Sequence, residues 1–166
     1  MQILQPPGWA EPKGYANGVL AQGRLVFVAG QVGWDETGTF RAQDFVGQVR
    51  RCLENTLAVL SEAGAGPEHV ARMTWYITDR EDYLSNLEGM GRAYRDLMGQ
   101  HFPAMSMVEV AAHIEAEAVV EVETTAVRAT DLARDLVTSR TSILLILLSV
   151  ILAPLVLLAF YIATLR

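Results

Sequence analysis

Residues 70–78, Val-Ala-Arg-Met-Thr-Trp-Tyr-Ile-Thr, show the clearest alternation of side-chain type in the chain. Two sets of side chains alternate along it, the first being Ala71, Met73, Trp75 and Ile77 and the second Arg72, Thr74, Tyr76 and Thr78. Because successive side chains of a strand point to opposite faces, this alternation predicts a β-strand with one buried face. The flanking sequence must then supply further strands and a layer that covers that face.

Two helical patterns flank this strand. Apolar residues at helical spacing run from Asp44 to Gly64, and a second stripe runs from about Glu81 to Met98. Gly99 is expected to end the second helix, because glycine adopts the backbone conformation that terminates helices. The sequence therefore places one helix before the strand and one after it.

Short strand patterns lie at both ends of the domain. Residues 19–21 and 25–29 flank Gln22-Gly23 and predict a β-hairpin. Residues 105–111 and 117–127 predict the last two strands. The resulting order, β-β-α-β-α-β-β, predicts an α+β domain with two helices on one face of a mixed sheet.

The C-terminal segment 143–165, ILLILLSVILAPLVLLAFYIATL, predicts one transmembrane helix. Sixteen of its 23 residues are Leu, Ile, Val or Phe, and none is charged. A helix of this length spans about 34 Å, which is enough for a hydrocarbon core of about 30 Å. Residues 1–128 would then form the folded domain and 129–142 a juxtamembrane linker. Three arginines, at 128, 134 and 140, precede the span and one, Arg166, follows it, so the positive-inside rule predicts a cytoplasmic domain.

Composition and spacing argue against several kinds of site. The formal net charge is −6 and no stripe of Lys and Arg appears, so nucleic acid is not an expected partner. Cys52 is the single cysteine, which excludes a disulfide framework and a thiolate metal site. His69, His101 and His113 lack metal-ligand spacing, and each is expected to be a surface or structural histidine. We expect no metal and no cofactor.

Several motifs occur in order between about residues 10 and 128. They are Gly14-Tyr15-Ala16-Asn17-Gly18, Phe27-Val28-Ala29-Gly30-Gln31-Val32, Gln48 with Asn55, Ala63-Gly64, Met73-Thr74-Trp75-Tyr76-Ile77-Thr78-Asp79, Phe102-Pro103-Ala104, and Val120-Glu121-Val122-Glu123 with Ala126-Val127-Arg128. In composition, order and spacing this set resembles the RidA family, the YjgF-type reactive-intermediate deaminases. The apolar C-terminal segment lies outside the resemblance.

The resemblance implies a chorismate-mutase-like α+β fold, a homotrimer and a small-molecule pocket at each subunit interface. In the family, a glutamate of the final strand positions the water that hydrolyses an imine or enamine, which implies this catalytic role for Glu121. A tyrosine of the N-terminal loop helps to close the pocket, which implies that role for Tyr15. Ala29, Met105 and Met107 complete the implied substrate-binding residues.

One position departs from the family. Its carboxylate-binding arginine directly follows the Pro-Ala step, and here that position is Met105. The methionine side chain has no hydrogen-bond donor, and hydrogen bonds to charged groups contribute roughly 1.5–3 kcal/mol. We therefore expect binding of an α-imino acid such as 2-iminopropionate to fall by about ten- to a hundredfold. Met105 and Met107 share one strand face and would make the pocket more apolar and adaptable.

Three functional hypotheses follow. The first is a membrane-tethered RidA-like protein that hydrolyses a neutral or apolar imine or enamine. The second, favoured by Met105, is a non-catalytic trimer that binds a small molecule. The third, favoured by the apolar tail, is an accessory or structural subunit of an integral membrane complex.

The apolar tail generates the first testable prediction. We expect the full-length chain to sediment with membranes and to resist carbonate extraction, because its 23-residue span carries no charge. A chain truncated after Arg128 should remain in the supernatant. A full-length chain that stays soluble without detergent would instead favour the alternative, a helix buried in the protein core.

Overall fold

The structure, a computed structural model, describes residues 1–130. In chain order, the elements are β1 (Gln2–Leu4), β2 (Gly18–Leu20), β3 (Arg24–Val32), α1 (Phe45–Glu62), β4 (Val70–Ile77), α2 (Arg80–Ser85), α3 (Leu87–Met98), β5 (Ala104–Glu109) and β6 (Val120–Arg128), with a short 3-10 turn before β4. Strand β4 covers nearly all of the alternating stretch 70–78, which confirms the predicted strand.

The main sheet has four strands in the order β3-β6-β4-β5. Strands β4 and β5 are parallel, whereas β6 is antiparallel to both of its neighbours, so the sheet is mixed as predicted. Met73, Trp75 and Ile77 of β4 are buried together with Val120 and Val122 of β6. The helices supply the other half of this core, with Val49, Leu53 and Leu60 among its buried members.

Helix α1 begins and ends close to its predicted limits. The Asp44 side chain accepts a hydrogen bond from the Gly47 backbone N–H at 2.8 Å, which caps the first turn. Gln48, fully buried in α1, donates to the Glu117 carbonyl at 2.8 Å and accepts from the Val119 backbone N–H at 3.0 Å. Its amide therefore fixes the segment that enters β6.

Two local predictions are wrong. Strand β2 does not form a hairpin with β3: it pairs with β1, while β3 pairs with β6. At Gly23 the chain passes so close to the end of β6 that a Cβ there would lie 2.1 Å from the Arg128 carbonyl oxygen. The helix expected over 81–98 is divided at Asn86, whose amide donates to the backbone and side-chain oxygens of Asp82.

The predicted span 143–165 and the linker from residue 131 onward lie outside the described residues. Within residues 1–130, no helix combines the length and apolar character that crossing a bilayer requires.

Candidate functional site

Glu121 occupies the face of the sheet that the helices do not cover. On β6 the residues that point toward the helices are buried, namely Val120, Val122, Thr124 and Ala126. Because side chains alternate along a strand, Glu121 projects from the other face. Its cross-strand neighbour on β4 is Tyr76, and the side chain of Glu121 remains 34% exposed. The strand register therefore places Glu121 on the face that the helices leave uncovered.

The carboxylate of Glu121 is held between β3 and the segment that precedes β6. The pairing of β3 with β6 shifts register between Val28 and Gln31, at a bulge that contains Ala29 and Gly30. A Cβ built on Gly30 would lie 1.6 Å from Glu121 Oε1, so the missing side chain makes room for this oxygen. Ala29, the adjacent predicted site residue, is exposed beside it.

The second carboxylate oxygen of Glu121 faces a histidine. His113 Nδ1 lies 3.2 Å from Glu121 Oε2, and the His113 side chain is 2% exposed. Sequence reasoning missed this contact, because His113 lies between two strands in a segment without periodicity. In the sequence, the only sign of this contact is that His113 precedes Glu121 by eight residues, and that spacing alone does not predict that the two side chains meet.

Tyr15, Met105 and Met107 line a cavity of about 490 Å³ between α3 and β5. The Ala16 backbone N–H donates to the Pro103 carbonyl at 2.9 Å, which places Tyr15 near the start of β5. The other walls are largely aromatic or thioether side chains, including Trp75, Tyr83, Met90, Tyr94 and Phe102. The cavity is therefore suited to an apolar ligand.

Polar and charged groups also line this cavity. Lys13 and Arg95 lie on its lining, and both residues are exposed. Trp75 Nε1 is a buried donor without a hydrogen-bond partner among the described residues. Burial raises the pKa of the Tyr94 phenol above its usual range, and its hydroxyl donates to the His101 carbonyl at 2.7 Å. Tyr94 is therefore a neutral wall residue.

Cys52 lies in the core on the helical side of the sheet. Its Sγ donates to the Val120 carbonyl at 3.6 Å. Burial, with a smaller contribution from the negative charge of Glu121, raises the pKa of the Cys52 thiol well above its usual range. A neutral buried thiol is a poor nucleophile, so Cys52 is a core residue.

The predicted site residues fall into two groups on opposite faces of the sheet. Met105 and Met107 pair with Met73 and Trp75 of β4, whose side chains point toward the helices. Glu121 projects the other way, from a strand that β4 separates from β5. Strands β5 and β6 are two strand spacings apart, so the backbones that carry Met105 and Glu121 are separated by about 10 Å in the plane of the sheet. Within one chain, the structure joins Tyr15 to Met105 and Met107, and Ala29 to Glu121, but does not join the two groups.

Over residues 1–130, no three or more His, Cys, Asp or Glu side chains converge in a way that could hold a metal ion.

Comparisons with known proteins agree with this architecture. The family model described as Endoribonuclease L-PSP matches residues 9–128. The 2-iminobutanoate/2-iminopropanoate deaminase of Salmonella typhimurium is 31% identical over 117 residues, which cover 69% of this chain and 87% of the relative. A Rid family protein of Yersinia pestis superposes with a TM-score of 0.69 at 28% identity, covering 76% of this chain and 98% of that one. Escherichia coli TdcF, solved with bound serine, gives a TM-score of 0.56 at 31% identity, covering 78% of this chain and 100% of that one.

The contact between Gly30 and Glu121 generates a stability prediction. Gly30→Ala should lower the free energy of unfolding by about 1–2 kcal/mol, because the new methyl group displaces the carboxylate from His113. The cost should nearly vanish in a Glu121→Ala background, since the overlapping atoms are the Cγ, Cδ and Oε1 of Glu121.

Chemical denaturation of the four chains measures this coupling. Gly18→Ala is the matched control, because its Cβ would meet its nearest neighbour at an ordinary 3.4 Å. An equal cost of Gly30→Ala in both backgrounds would show that the backbone, and not the carboxylate, requires glycine.

Proposed function

This chain belongs to the RidA/YjgF family, and from that membership we propose that it hydrolyses a neutral or apolar imine or enamine to a carbonyl compound and ammonia. The observation that carries the proposal is the Glu121 carboxylate, which is partly exposed, bound on one oxygen by His113 and seated against Gly30 on the other. A carboxylate held in this way can accept a proton from water.

The reaction needs water, the substrate and one group that accepts and returns a proton. An enamine reacts as its imine tautomer, which forms when a proton moves from the nitrogen to the β-carbon and the C=C bond becomes C=N. In the addition step, the oxygen of water bonds to the imine carbon while one of its protons passes through Glu121 to the nitrogen. In the collapse step, the hydroxyl proton of the resulting carbinolamine passes through the same carboxylate to the nitrogen. The C–N bond then breaks, the carbonyl forms and ammonia leaves. Glu121 returns to its initial state, and no oxidant or reductant is required.

A complete site requires a second copy of the chain under this proposal. Glu121 lies on one face of the sheet, and the cavity that Met105 lines lies on the opposite face. The face that carries Glu121 also presents Phe27, which is 74% exposed, and Leu25, which is 59% exposed. Apolar side chains of this size favour burial against another surface. We propose a homotrimer in which the β5 edge of one copy packs beside this face of its neighbour, so that one copy supplies the cavity and the other supplies Glu121.

The lining of the cavity supports an apolar substrate. Met105 and Met107 contribute polarisable thioethers, which adapt to ligands of different shape. An RNA substrate, which the description of the family model suggests, is disfavoured by the formal net charge of −6. The tail of residues 143–165 is the basis for proposing that the reaction takes place at the cytoplasmic surface of a membrane.

The alternative is a trimer that binds a small apolar molecule without converting it. Met105 favours this alternative, because the cavity can hold a ligand without help from Glu121. The two functions differ in their dependence on the carboxylate. Substitution of Glu121 should abolish hydrolysis and leave simple binding in the cavity unchanged.

The full-length chain in detergent provides the test. Wild type should accelerate hydrolysis of an apolar neutral imine, and Glu121→Gln should lower kcat by about 10²–10⁴-fold, because an amide cannot act as a base. Met105→Arg should raise activity toward 2-imino acids by about ten- to a hundredfold, since guanidinium binds a carboxylate through two hydrogen bonds.

Met105→Leu is the matched neutral control, and melting temperatures should accompany each assay, because Met105 packs against the core. Absence of imine hydrolysis by folded wild type and folded Met105→Arg, with retained ligand binding, would reject the enzyme in favour of the binding trimer.

A further inference from the structure

The imidazole of His113 is buried and contacts the carboxylate of Glu121, the candidate catalytic residue. Its side chain is 2% exposed, and its Nδ1 lies 3.2 Å from Glu121 Oε2. The segment between β5 and β6 that carries His113 is anchored at its far end by Gln48, which binds the Glu117 carbonyl and the Val119 N–H. The imidazole is therefore a fixed part of the surroundings of Glu121.

The surroundings of the ring determine which nitrogen carries the proton. His113 Nε2 is buried and has no hydrogen-bond partner among the described residues. A proton on Nε2 would leave a buried donor unpaired and turn the lone pair of Nδ1 toward a carboxylate, and both are unfavourable. A proton on Nδ1 gives a charge-assisted hydrogen bond to Oε2 and leaves only a lone pair at Nε2. A proton on Nε2 would be unpaired whether or not Nδ1 also carries one, so the geometry favours a ring protonated on Nδ1 alone.

We infer that His113 is a positioning residue for Glu121. The Nδ1–H group of His113 donates to Glu121 Oε2, which leaves Glu121 Oε1 as the oxygen that exchanges protons with water and substrate. This inference rests on the proposed function of Glu121. Gly30 completes the arrangement, because the absence of a side chain there gives Oε1 its place. The two contacts assign different tasks to the two oxygens of one carboxylate.

Within residues 1–130, the other titratable groups near Glu121 do not donate a hydrogen bond to its carboxylate. Tyr76 lies opposite Glu121 on β4, but its hydroxyl is directed to Glu123 Oε2 at 3.4 Å. Glu123 lies two residues further along β6 on the same face, and its like charge can only repel that of Glu121. Cys52, behind the sheet, is a neutral thiol that donates to the Val120 carbonyl.

Three variants of the full-length chain separate positioning from packing. His113→Leu removes the donor, whereas His113→Asn keeps an N–H at the same number of bonds from the backbone as Nδ1. His113→Gln places its N–H one bond further away and serves as the matched control. We expect His113→Leu and His113→Gln to lower kcat by about ten- to a hundredfold with KM within about twofold, and His113→Asn to recover most of the loss.

A nitrogen-15 NMR spectrum of the imidazole rings gives a readout that does not depend on activity. The chain has three histidines, so the signals lost in His113→Asn identify those of His113. We expect the chemical shifts of a neutral ring protonated on Nδ1, and a change in the Nδ1 shift in Glu121→Gln.

The outcomes are distinguishable. A ring protonated on Nε2, wild-type kcat in folded His113→Leu, or equal loss in the Leu and Asn variants would each overturn the inference. If wild type hydrolyses no imine, the proposed function fails, and the tautomer still decides whether His113 donates to Glu121. If His113→Leu does not fold, the Asn and Gln variants and the spectrum decide the matter.

Discussion

Strand β6 buries one of its faces under the helices and leaves the other uncovered, and this difference fixes both the core and the position of Glu121. This strand lies between β3 and β4, and its alternate residues from Val120 to Ala126 are fully or almost fully buried under the helices. A shift of one residue would bury Glu121 and Glu123 and expose the valines, at a cost of several kcal/mol. The core therefore fixes Glu121 on the uncovered face, and Gln48 fixes the point at which the chain enters the strand.

The same constraint separates the apolar cavity from the Glu121 carboxylate. Because β5 is the edge strand next to β4, Met105 and Met107 follow the buried face of β4 and line a cavity on the helical side. Glu121 cannot reach that cavity within its own chain. The proposed trimer joins the two faces through symmetry, and the exposed Phe27 and Leu25 are the apolar surface that such an assembly would bury. Under that proposal, Met105 would govern which substrate the site accepts, while His113 and Gly30 hold the Glu121 carboxylate.

Local sequence patterns predicted much of the fold. The alternation over 70–78 and the helical spacing after Asp44 are short-range signals, and the structure confirms both. The predicted hairpin failed because alternation identifies a strand without identifying its partner, and β3 pairs with β6, about a hundred residues away. The break at Asn86 depends on a side chain that competes for backbone hydrogen bonds, which helical periodicity does not detect.

The candidate site was less accessible to sequence reasoning. The resemblance supplied Glu121, Tyr15 and the departure at Met105, but only strand register shows that Glu121 and Met105 face opposite ways. His113 lies in a segment without regular structure, so its contact with Glu121 depends on tertiary packing alone.

The most direct test of a site shared between copies is subunit complementation. Glu121→Gln removes the base, and Gly91→Phe fills the cavity from α3, where the nearest neighbour of a new Cβ is the flexible end of Arg95. Each variant alone should be inactive. Unfolded together and refolded as mixed trimers, they should recover about a quarter of wild-type activity, because a site that combines two copies is intact in that share of random pairings. Mixed trimers that form without any recovery of activity would contradict a site shared between two copies.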